Sequence, residues 1–192
     1  MTRRHFLHLA TLTLPALFLP GCARRAGSEP GSEPGGVPGT GAADPLAAGA
    51  ASRTVEALDK PRSQWRESLT PRQYAVLFEE DTERPWSSAL NDEKRRGTYV
   101  CAACNLPLFL SGAKFDSGTG WPSFTRPLDG RTATRTDYKI VFPRTEYHCA
   151  RCGGHQGHVF DDGPAPTGQR WCNNGVALTF VPEGEALPEL RR

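Results

Sequence analysis

The sequence predicts a mainly β domain of antiparallel strands that follows a short helical segment. Two observations carry this prediction. After Gly97 the chain contains short runs rich in β-branched or aromatic residues, separated by Gly, Pro and Asp. Ahead of these runs lies a stretch with a helix start and apolar residues at helical spacing. The predicted strands are Thr98–Cys101, Tyr138–Phe142, His158–Phe160 and Val176–Val181.

The helix is predicted over residues 71–80. Thr70 is a favourable N-cap residue, and Pro71 suits the first helical position because its fixed φ already matches the helix. Tyr74, Leu77 and Phe78 follow at a spacing that places them on one side. We therefore expect a short amphipathic helix that packs against the strands.

The first 22 residues have the pattern of an export signal. Arg3 and Arg4 precede an apolar stretch, residues 6–20, which is shorter than the roughly 18 residues that a membrane helix needs. Residues 2–7 resemble the twin-arginine export motif. The segment ending at Cys22 resembles a bacterial lipobox, in which the cysteine is lipidated. We expect an exported, periplasmic protein tethered to the membrane by a lipid at Cys22; the alternative is an ordinary cleaved signal.

Residues 23–52 are predicted to form a flexible linker. Of these 30 residues, 19 are Ala, Gly or Pro and none is aromatic, so the segment has too little apolar surface to offset the entropy lost on ordering. The folded domain is expected over residues 53–185, and residues 186–192 are expected to be a tail.

The charge distribution disfavours a nucleic-acid partner. The whole chain has a formal net charge of +2, but residues 26–192 hold 19 Lys and Arg against 21 Asp and Glu, a net charge of −2. Nucleic-acid binding needs a basic surface that neutralises phosphates. We therefore expect the folded domain not to bind nucleic acid.

Four of the six cysteines are predicted to bind a structural zinc ion. They form two Cys-x-x-Cys pairs separated by 44 residues, and each pair can place two thiolates on one tight turn. Four sulfur ligands leave no open coordination position, so the zinc would hold structure rather than catalyse. The alternative is a pair of disulfides, which an exported protein could form. The four residues are Cys101, Cys104, Cys149 and Cys152.

Cys172 is the candidate nucleophile. If its segment is extended, Arg170, Cys172 and Asn174 lie on one face of the strand. Arg170 would then favour the thiolate, which is the reactive form of cysteine. His155 and His158 lie in a glycine-rich stretch and are candidates for donating a proton or polarising an oxygen.

Several segments, in order, resemble the type B methionine sulfoxide reductases, or peptide-methionine (R)-S-oxide reductases. The resemblance extends from about Pro61 to Pro182 and covers nearly all of the expected domain. It implies a fold of two antiparallel sheets and a zinc ion bound away from the active site. The segments that carry it are Cys101–Cys104, Lys114–Phe124, Gly154–Gly163 and Arg170–Asn174.

The resemblance also implies a mechanism and a set of site residues. Cys172 would attack the sulfoxide sulfur and become a sulfenic acid, while His155 and His158 contact or protonate the oxygen. Trp121 matches an aromatic wall for the substrate methyl group. Asn174 and Asp162 match polar residues of the site. With Arg170 included, the predicted substrate-binding residues are Trp121, Asn174, Asp162 and Arg170.

The sequence differs from many relatives at one informative position. Where they carry a second, resolving cysteine, this chain has Thr119. With four cysteines assigned to zinc and Cys22 to the signal, no obvious resolving thiol is left; the alternative is that an unlipidated Cys22 reaches the site on its flexible tether. We therefore expect an external thioredoxin-like protein or small thiol to reduce Cys172. The expected substrates are exported proteins that carry methionine (R)-sulfoxide, and the expected oligomeric state is a monomer.

Two alternative functions are weighed against this assignment. One is a zinc-ribbon binding module, which the net charge of residues 26–192 disfavours. The other is a dithiol oxidoreductase that works through one Cys-x-x-Cys pair. In that case Cys101 or Cys104 would be essential and Cys172 dispensable.

Overall fold

The computed structural model describes residues 55–192, and two helices open this part of the chain. Helix α1 spans Arg62–Ser68 and helix α2 spans Pro71–Glu79. Helix α2 confirms the predicted helix. The Thr70 side chain accepts a hydrogen bond from the Gln73 backbone N–H, and the Gln73 side chain accepts one from the Thr70 backbone N–H. This reciprocal capping satisfies two donors at the helix start.

Nine strands follow within the described residues, and they form two antiparallel sheets. The first sheet has three strands in the order β2-β1-β9, and the second has six in the order β3-β4-β8-β7-β6-β5. The predicted mainly β fold with two antiparallel sheets is confirmed. The strands are β1 Gly97–Cys101, β2 Pro107–Leu110, β3 Lys114–Phe115, β4 Ser123–Phe124, β5 Thr132–Asp137, β6 Arg144–Cys149, β7 His155–Phe160, β8 Arg170–Asn173 and β9 Leu178–Pro182.

Aromatic rings from both sheets meet in the core. Phe109 of the three-stranded sheet stacks on Phe124 of the six-stranded sheet with ring centroids 4.1 Å apart. Tyr99 meets the edge of Phe124 at 5.0 Å, and Tyr147 meets the edge of Trp171 at 4.9 Å. Stacked and edge-to-face contacts of this kind add to the burial of apolar area. One face of the six-stranded sheet therefore packs in the core.

Two predicted strands need correction. Tyr138–Phe142 is not a strand but the loop that joins β5 to β6, and its large apolar side chains are exposed. The strand predicted over Val176–Val181 begins later, because Gly175–Ala177 form a 3-10 turn before β9. The strand prediction for Thr98–Cys101 is right, and that for His158–Phe160 lies inside β7.

The C-terminal segment contacts the cysteine turns. The Glu189 carbonyl accepts a hydrogen bond from the Asn105 side chain at 2.8 Å, and the Arg191 carbonyl accepts one from Arg151 at 2.6 Å. The Arg191 N–H donates to the Cys104 carbonyl at 3.2 Å. The segment that the sequence predicts as a tail therefore packs along the domain.

The predicted signal, the linker and Cys22 lie outside the described residues. In residues 55–192, no helix has the length and apolar character needed to cross a bilayer.

Candidate functional site

The second face of the six-stranded sheet carries a row of reactive side chains. Directly opposite residues on antiparallel strands point to the same side of a sheet. Cys172 of β8 lies opposite Ser123 of β4 on one side and opposite His158 of β7 on the other. Continuing across the sheet, His158 lies opposite Glu146, and Glu146 lies opposite Arg135. The register thus places a thiol, an imidazole, a carboxylate and a guanidinium in one row, which we call the reactive row.

An irregularity in β7 adds a second histidine to this face. In a regular strand, residues three apart point to opposite sides. Opposite Tyr147 and His148 of β6, however, β7 has one extra residue, Gln156. As a result His155 points to the same side as His158, and their ring centroids are 5.5 Å apart. The strand pairing therefore brings together the three predicted catalytic residues.

A buried carboxylate orients His155. Glu146 is 2% exposed and its Oε1 lies 2.8 Å from His155 Nδ1. Burial acts to raise the pKa of Glu146, but His148, His155 and Arg135 lower it to about 2, so the group is ionised at neutral pH. An ionised carboxylate can only accept a hydrogen bond, so Nδ1 of His155 carries the hydrogen that Glu146 binds. Nε2 is the ring nitrogen that the carboxylate does not bind.

A second carboxylate holds His158 by the other ring nitrogen. Asp137 Oδ2 lies 2.8 Å from His158 Nε2 and 2.6 Å from an Arg144 nitrogen. The Lys139 backbone N–H, together with His158 and Arg144, holds the pKa of Asp137 well below its usual range. Burial lowers the pKa of His158, which is therefore neutral at pH 7. The two carboxylates thus bind different ring nitrogens of the two histidines.

The surroundings of Cys172 combine burial with stabilising polar groups. Burial raises the pKa of the thiol, and this outweighs the lowering effect of the Arg170 charge and of hydrogen bonds from Thr119, Ser123 and Arg170. The sequence predicts a thiolate, whereas the structure favours a protonated thiol in the resting protein. Arg170 is positioned to stabilise negative charge when it develops on the sulfur.

Arg170 is itself fixed by Asp162. Its Nε and one terminal nitrogen donate to the two Asp162 carboxylate oxygens at 2.8 and 2.9 Å. Such a two-point pair sets the plane of the guanidinium as well as its position. Arg170 also lies over the Phe160 ring at 4.2 Å from the centroid. Asp162 therefore contacts the site through Arg170.

Three hydroxyl groups form a chain beside Cys172. Ser117 Oγ lies 2.8 Å from Thr119 Oγ1 and 2.8 Å from Ser123 Oγ. Ser123 lies directly opposite Cys172 in the sheet, and the Thr119 and Ser123 hydroxyls act to lower the pKa of the Cys172 thiol. A hydroxyl therefore stands near the Cys172 sulfur at the position where many relatives carry a resolving cysteine.

Trp121 and Asn174 are both tied to Glu83. The Trp121 Nε1–H donates to the Glu83 carbonyl at 3.1 Å, and the ring lines a shallow cleft with Trp86 and Phe115. The Asn174 side-chain oxygen accepts from the Glu83 N–H at 3.0 Å, and its amide nitrogen donates to the Gln156 carbonyl at 3.0 Å. Both ends of the Asn174 side-chain amide thus form hydrogen bonds with backbone groups of the protein.

The four cysteines of the two Cys-x-x-Cys pairs converge in one cluster. Cys101 Sγ lies 3.7 Å from Cys152 Sγ, and Cys104 Sγ lies 3.6 Å from Cys149 Sγ. All four sulfurs lie within 4.8 Å of one another and none forms a disulfide. A tetrahedron with metal–sulfur bonds of about 2.3 Å has edges of about 3.8 Å. The cluster therefore has the dimensions of a four-sulfur metal site, and the disulfide alternative does not describe this structure.

The two cysteine turns have the same backbone conformation and the same closing hydrogen bond. Asn105 and Gly153 each follow the second cysteine of their pair, and both adopt positive φ, at 62° and 70°. Each donates its N–H to the carbonyl of the first cysteine of its pair, at 2.9 Å. Asn and Gly are the residues that most readily adopt this conformation. Both turns are thus closed in the same way around the cluster.

Comparison with known proteins identifies the family. A sequence profile described as the SelR domain matches residues 69–182. The chain is 51% identical over 131 residues to the peptide methionine sulfoxide reductase MsrB of Bradyrhizobium diazoefficiens, covering 68% of this chain and 94% of that protein. The chain belongs to the type B methionine sulfoxide reductases.

Other members of the family are similarly close. The MsrB protein of Methanosarcina barkeri is 49% identical over 131 residues, covering 68% of this chain and 92% of its own length. That of Pseudomonas putida is 49% identical over 133 residues and is covered completely. The predicted oxidoreductase class is confirmed: the chain is a methionine sulfoxide reductase, and its four-cysteine cluster is consistent with a structural metal.

Sequence reasoning missed the residues that orient the reactive groups. Glu146 and Asp137 hold the two histidines, and Glu83 links Trp121 to Asn174. The sequence gives no local signal that Glu146 is buried, because its strand, Arg144–Cys149, is mostly polar. Its partners are set by strand register.

Proposed function

We propose that the protein reduces methionine (R)-sulfoxide in other proteins, with Cys172 as the nucleophile. The observation that carries the proposal is the placement of Cys172 directly opposite His158, with His155 on the same face. A sulfoxide sulfur becomes electrophilic when its oxygen is protonated or hydrogen-bonded. A thiol beside two imidazoles supplies both the attacking sulfur and the groups that assist the oxygen.

The chemical step balances with the groups at the site. The Cys172 sulfur bonds to the sulfoxide sulfur, the thiol proton passes through the histidines to the oxygen, and the oxygen then moves to Cys172 as the methionine thioether leaves. The net change is thiol plus sulfoxide to sulfenic acid plus thioether. Cys172 is oxidised and methionine sulfoxide is reduced. A resting thiol with a raised pKa suits this step, because the proton that the oxygen needs is already at the site.

The return step needs an external reductant. Among residues 55–192 the only cysteines besides Cys172 are the four of the cluster, and Thr119 stands where a resolving cysteine would be. Two external thiols can reduce the sulfenic acid, giving one disulfide and one water. A thioredoxin-like protein or a small thiol would supply them.

Zinc is the metal that we propose for the cluster. Cys101, Cys104, Cys149 and Cys152 would hold it as thiolates, and four sulfurs at tetrahedral spacing suit zinc. When bound, zinc would link the two cysteine turns. Catalysis would be left to Cys172, which lies outside the cluster.

The location of the protein is also a proposal. Residues 1–22 support export to the periplasm, and Cys22 supports a lipid anchor. Fractionation of cells and mass spectrometry of the mature N-terminus test this, with Cys22→Ser as the variant that should release the domain from the membrane. The same mature protein should elute as a monomer in size-exclusion chromatography.

Turnover of single epimers tests the main proposal. Peptides that carry only the R or only the S sulfoxide are incubated with a dithiol and with wild type or Cys172→Ser. We expect wild type to consume only the R epimer and the variant to be inactive, with its melting temperature and metal content as controls for folding. Consumption of the S epimer alone, or full activity of a folded Cys172→Ser, would contradict the assignment.

Trapping the oxidised enzyme tests the recycling step. After one turnover without reductant, a sulfenic-acid probe should label Cys172. An intramolecular disulfide to Cys172 in the mass spectrum would show that a resolving cysteine exists and would overturn direct external reduction.

A further inference from the structure

The loop between β5 and β6 exposes a cluster of large apolar side chains. Tyr138 is 77% exposed, Ile140 49%, Val141 92% and Phe142 76%. We call these four residues the apolar tip. Single exposed apolar residues are ordinary on protein surfaces, but four large ones within five positions form a patch of the kind that marks binding sites. The methionine sulfoxide reductase reaction described so far gives these residues no role.

The apolar tip is continuous with the reactive face. The loop leaves β5 at Asp137, whose carboxylate binds His158, and enters β6 at Arg144, which also binds Asp137. Lys139 reaches from the loop to Glu80 at 2.5 Å, and Glu80 also pairs with Arg135 of the reactive row. These contacts hold the loop at the rim of the face on which Cys172 lies. A polypeptide bound at Cys172 would pass close to this rim.

The charges around the apolar tip favour an uncharged partner. Its two neighbouring cations are both occupied, since Lys139 pairs with Glu80 and Arg144 pairs with Asp137. Neither is left to attract the anionic groups of a membrane surface, which bind unpaired Lys and Arg. The remaining tip surface is apolar, so its partner should be apolar as well.

The size of the patch favours a short peptide segment over a second copy of the chain. Four such side chains expose on the order of 500 Å². A stable protein–protein interface buries about 800 Å² on each partner. The patch is therefore too small for a stable dimer and large enough for two or three apolar side chains.

We propose that the apolar tip binds apolar residues that flank an oxidised methionine in an unfolded or partly unfolded protein. Methionine is usually buried among apolar neighbours, so its oxidation in a damaged protein exposes a sulfoxide with an apolar flank. The apolar tip would bind this flank while the sulfoxide reaches Cys172. This inference rests on the proposed function, because it names the sequence context that the same site selects.

The test compares substrates that differ only in their flanks. The substrates are N-acetyl-methionine sulfoxide amide, a peptide with Leu and Val around the sulfoxide, and the same peptide with Gly and Ser. The variant is Val141→Ser/Phe142→Ser. The matched control is Leu187→Ser/Leu190→Ser, which removes two other exposed apolar side chains outside the tip. We expect the tip variant to raise KM for the apolar-flanked peptide about tenfold, with kcat and the other two substrates unchanged.

A binding measurement separates this inference from the proposed function. Fluorescence anisotropy of the labelled apolar peptide on Cys172→Ser enzyme should show binding that the tip variant weakens about tenfold. Equal KM values for wild type and tip variant, or equal losses on all three substrates, would overturn the inference. The inference would also be overturned if the tip variant lost dimer formation or binding to phospholipid vesicles but bound the peptide as well as wild type does. Wild type that binds the peptide through the tip but reduces no substrate would instead refute the proposed function.

Discussion

At the scale of single residues, the histidines depend on carboxylates that do not touch the thiol. Glu146 fixes the ring of His155 through Nδ1, and Asp137 fixes the ring of His158 through Nε2. A negative charge on one side of an imidazole also stabilises a proton taken up on the other side. Glu146 is therefore a positioning residue for the group that assists the sulfoxide oxygen.

Replacing Glu146 with Gln should slow chemistry more than it weakens substrate binding. Glutamine keeps the size of the side chain but loses the charge that orients His155 and supports a proton on it. We expect kcat to fall at least about tenfold with KM nearly unchanged, and the pH dependence of kcat to shift. Glu79→Gln is the matched control, because Glu79 forms only an exposed ion pair with Arg66. A merely structural role for Glu146 would leave the pH profile unmoved.

The same carboxylate should contribute to stability in a pH-dependent way. The pKa of Glu146 is lowered in the folded protein to about 2 from an ordinary value of 4.5. Its contribution is therefore fully present above pH 4.5 and is lost as the pH falls toward 2, where the carboxylate becomes neutral like glutamine.

Urea unfolding of wild type and Glu146→Gln should show this change. We expect a difference in unfolding free energy on the order of 3 kcal/mol at pH 6 that narrows progressively below pH 4.5. A difference that stayed constant down to pH 2.5 would contradict the pKa assignment.

At the scale of elements, the apolar and polar pattern predicted β1 and parts of β7 and β9, but it did not predict β2 or β6, although both bury side chains. Strand β5 is polar and largely exposed, and it pairs only with β6, so its sequence carries little strand signal. Strands β3 and β4 have two residues each, which is too short for any period to show. The run Tyr138–Phe142 has strand composition but forms an exposed loop, because composition alone does not reveal whether apolar side chains have a partner.

The pairing of β7 with β8 depends on a glycine. A Cβ atom at Gly157 would lie 1.9 Å from the Cys172 carbonyl oxygen, far inside van der Waals contact. Gly157→Ala should therefore force apart the two strands that carry His158 and Cys172. We expect a loss of about 2 kcal/mol or more in thermal or urea unfolding, together with reduced turnover.

Gly112→Ala is the control for this substitution, because a Cβ atom there meets nothing within 4 Å. It should leave both the melting temperature and the activity close to wild type. Equal effects of the two alanine substitutions would show that the close approach at Gly157 does not govern the pairing.

At the scale of the whole molecule, the cysteine cluster joins the two sheets. Cys101 ends β1 in the three-stranded sheet, whereas Cys149 ends β6 in the six-stranded sheet. The spacing of the four cysteines was enough to predict that they meet, because each pair is a local turn with a known ligand geometry. Which sheets they join could not be predicted, since it depends on strand order far along the chain.

Removing the metal should destabilise the whole domain. We expect about one zinc per chain by elemental analysis, and a chelated sample should melt at least about 10 °C lower, because the link between the sheets is lost. Adding zinc back should restore the melting temperature. An unchanged melting temperature after verified metal loss would show that the cluster does not stabilise the fold.

The extra residue in β7 has a consequence for how this domain tolerates change. It turns Gln156 inward, where its amide nitrogen lies 3.5 Å from Cys101 Sγ and its oxygen 3.4 Å from the Asn173 amide nitrogen. Deleting Gln156 would leave His155 and His158 two positions apart, and so still on one side of a regular strand, but it would remove the buried amide that contacts both Cys101 and Asn173. Insertions and deletions among relatives should therefore fall in the connecting loops and not at Gln156, even where side chains elsewhere in the domain differ.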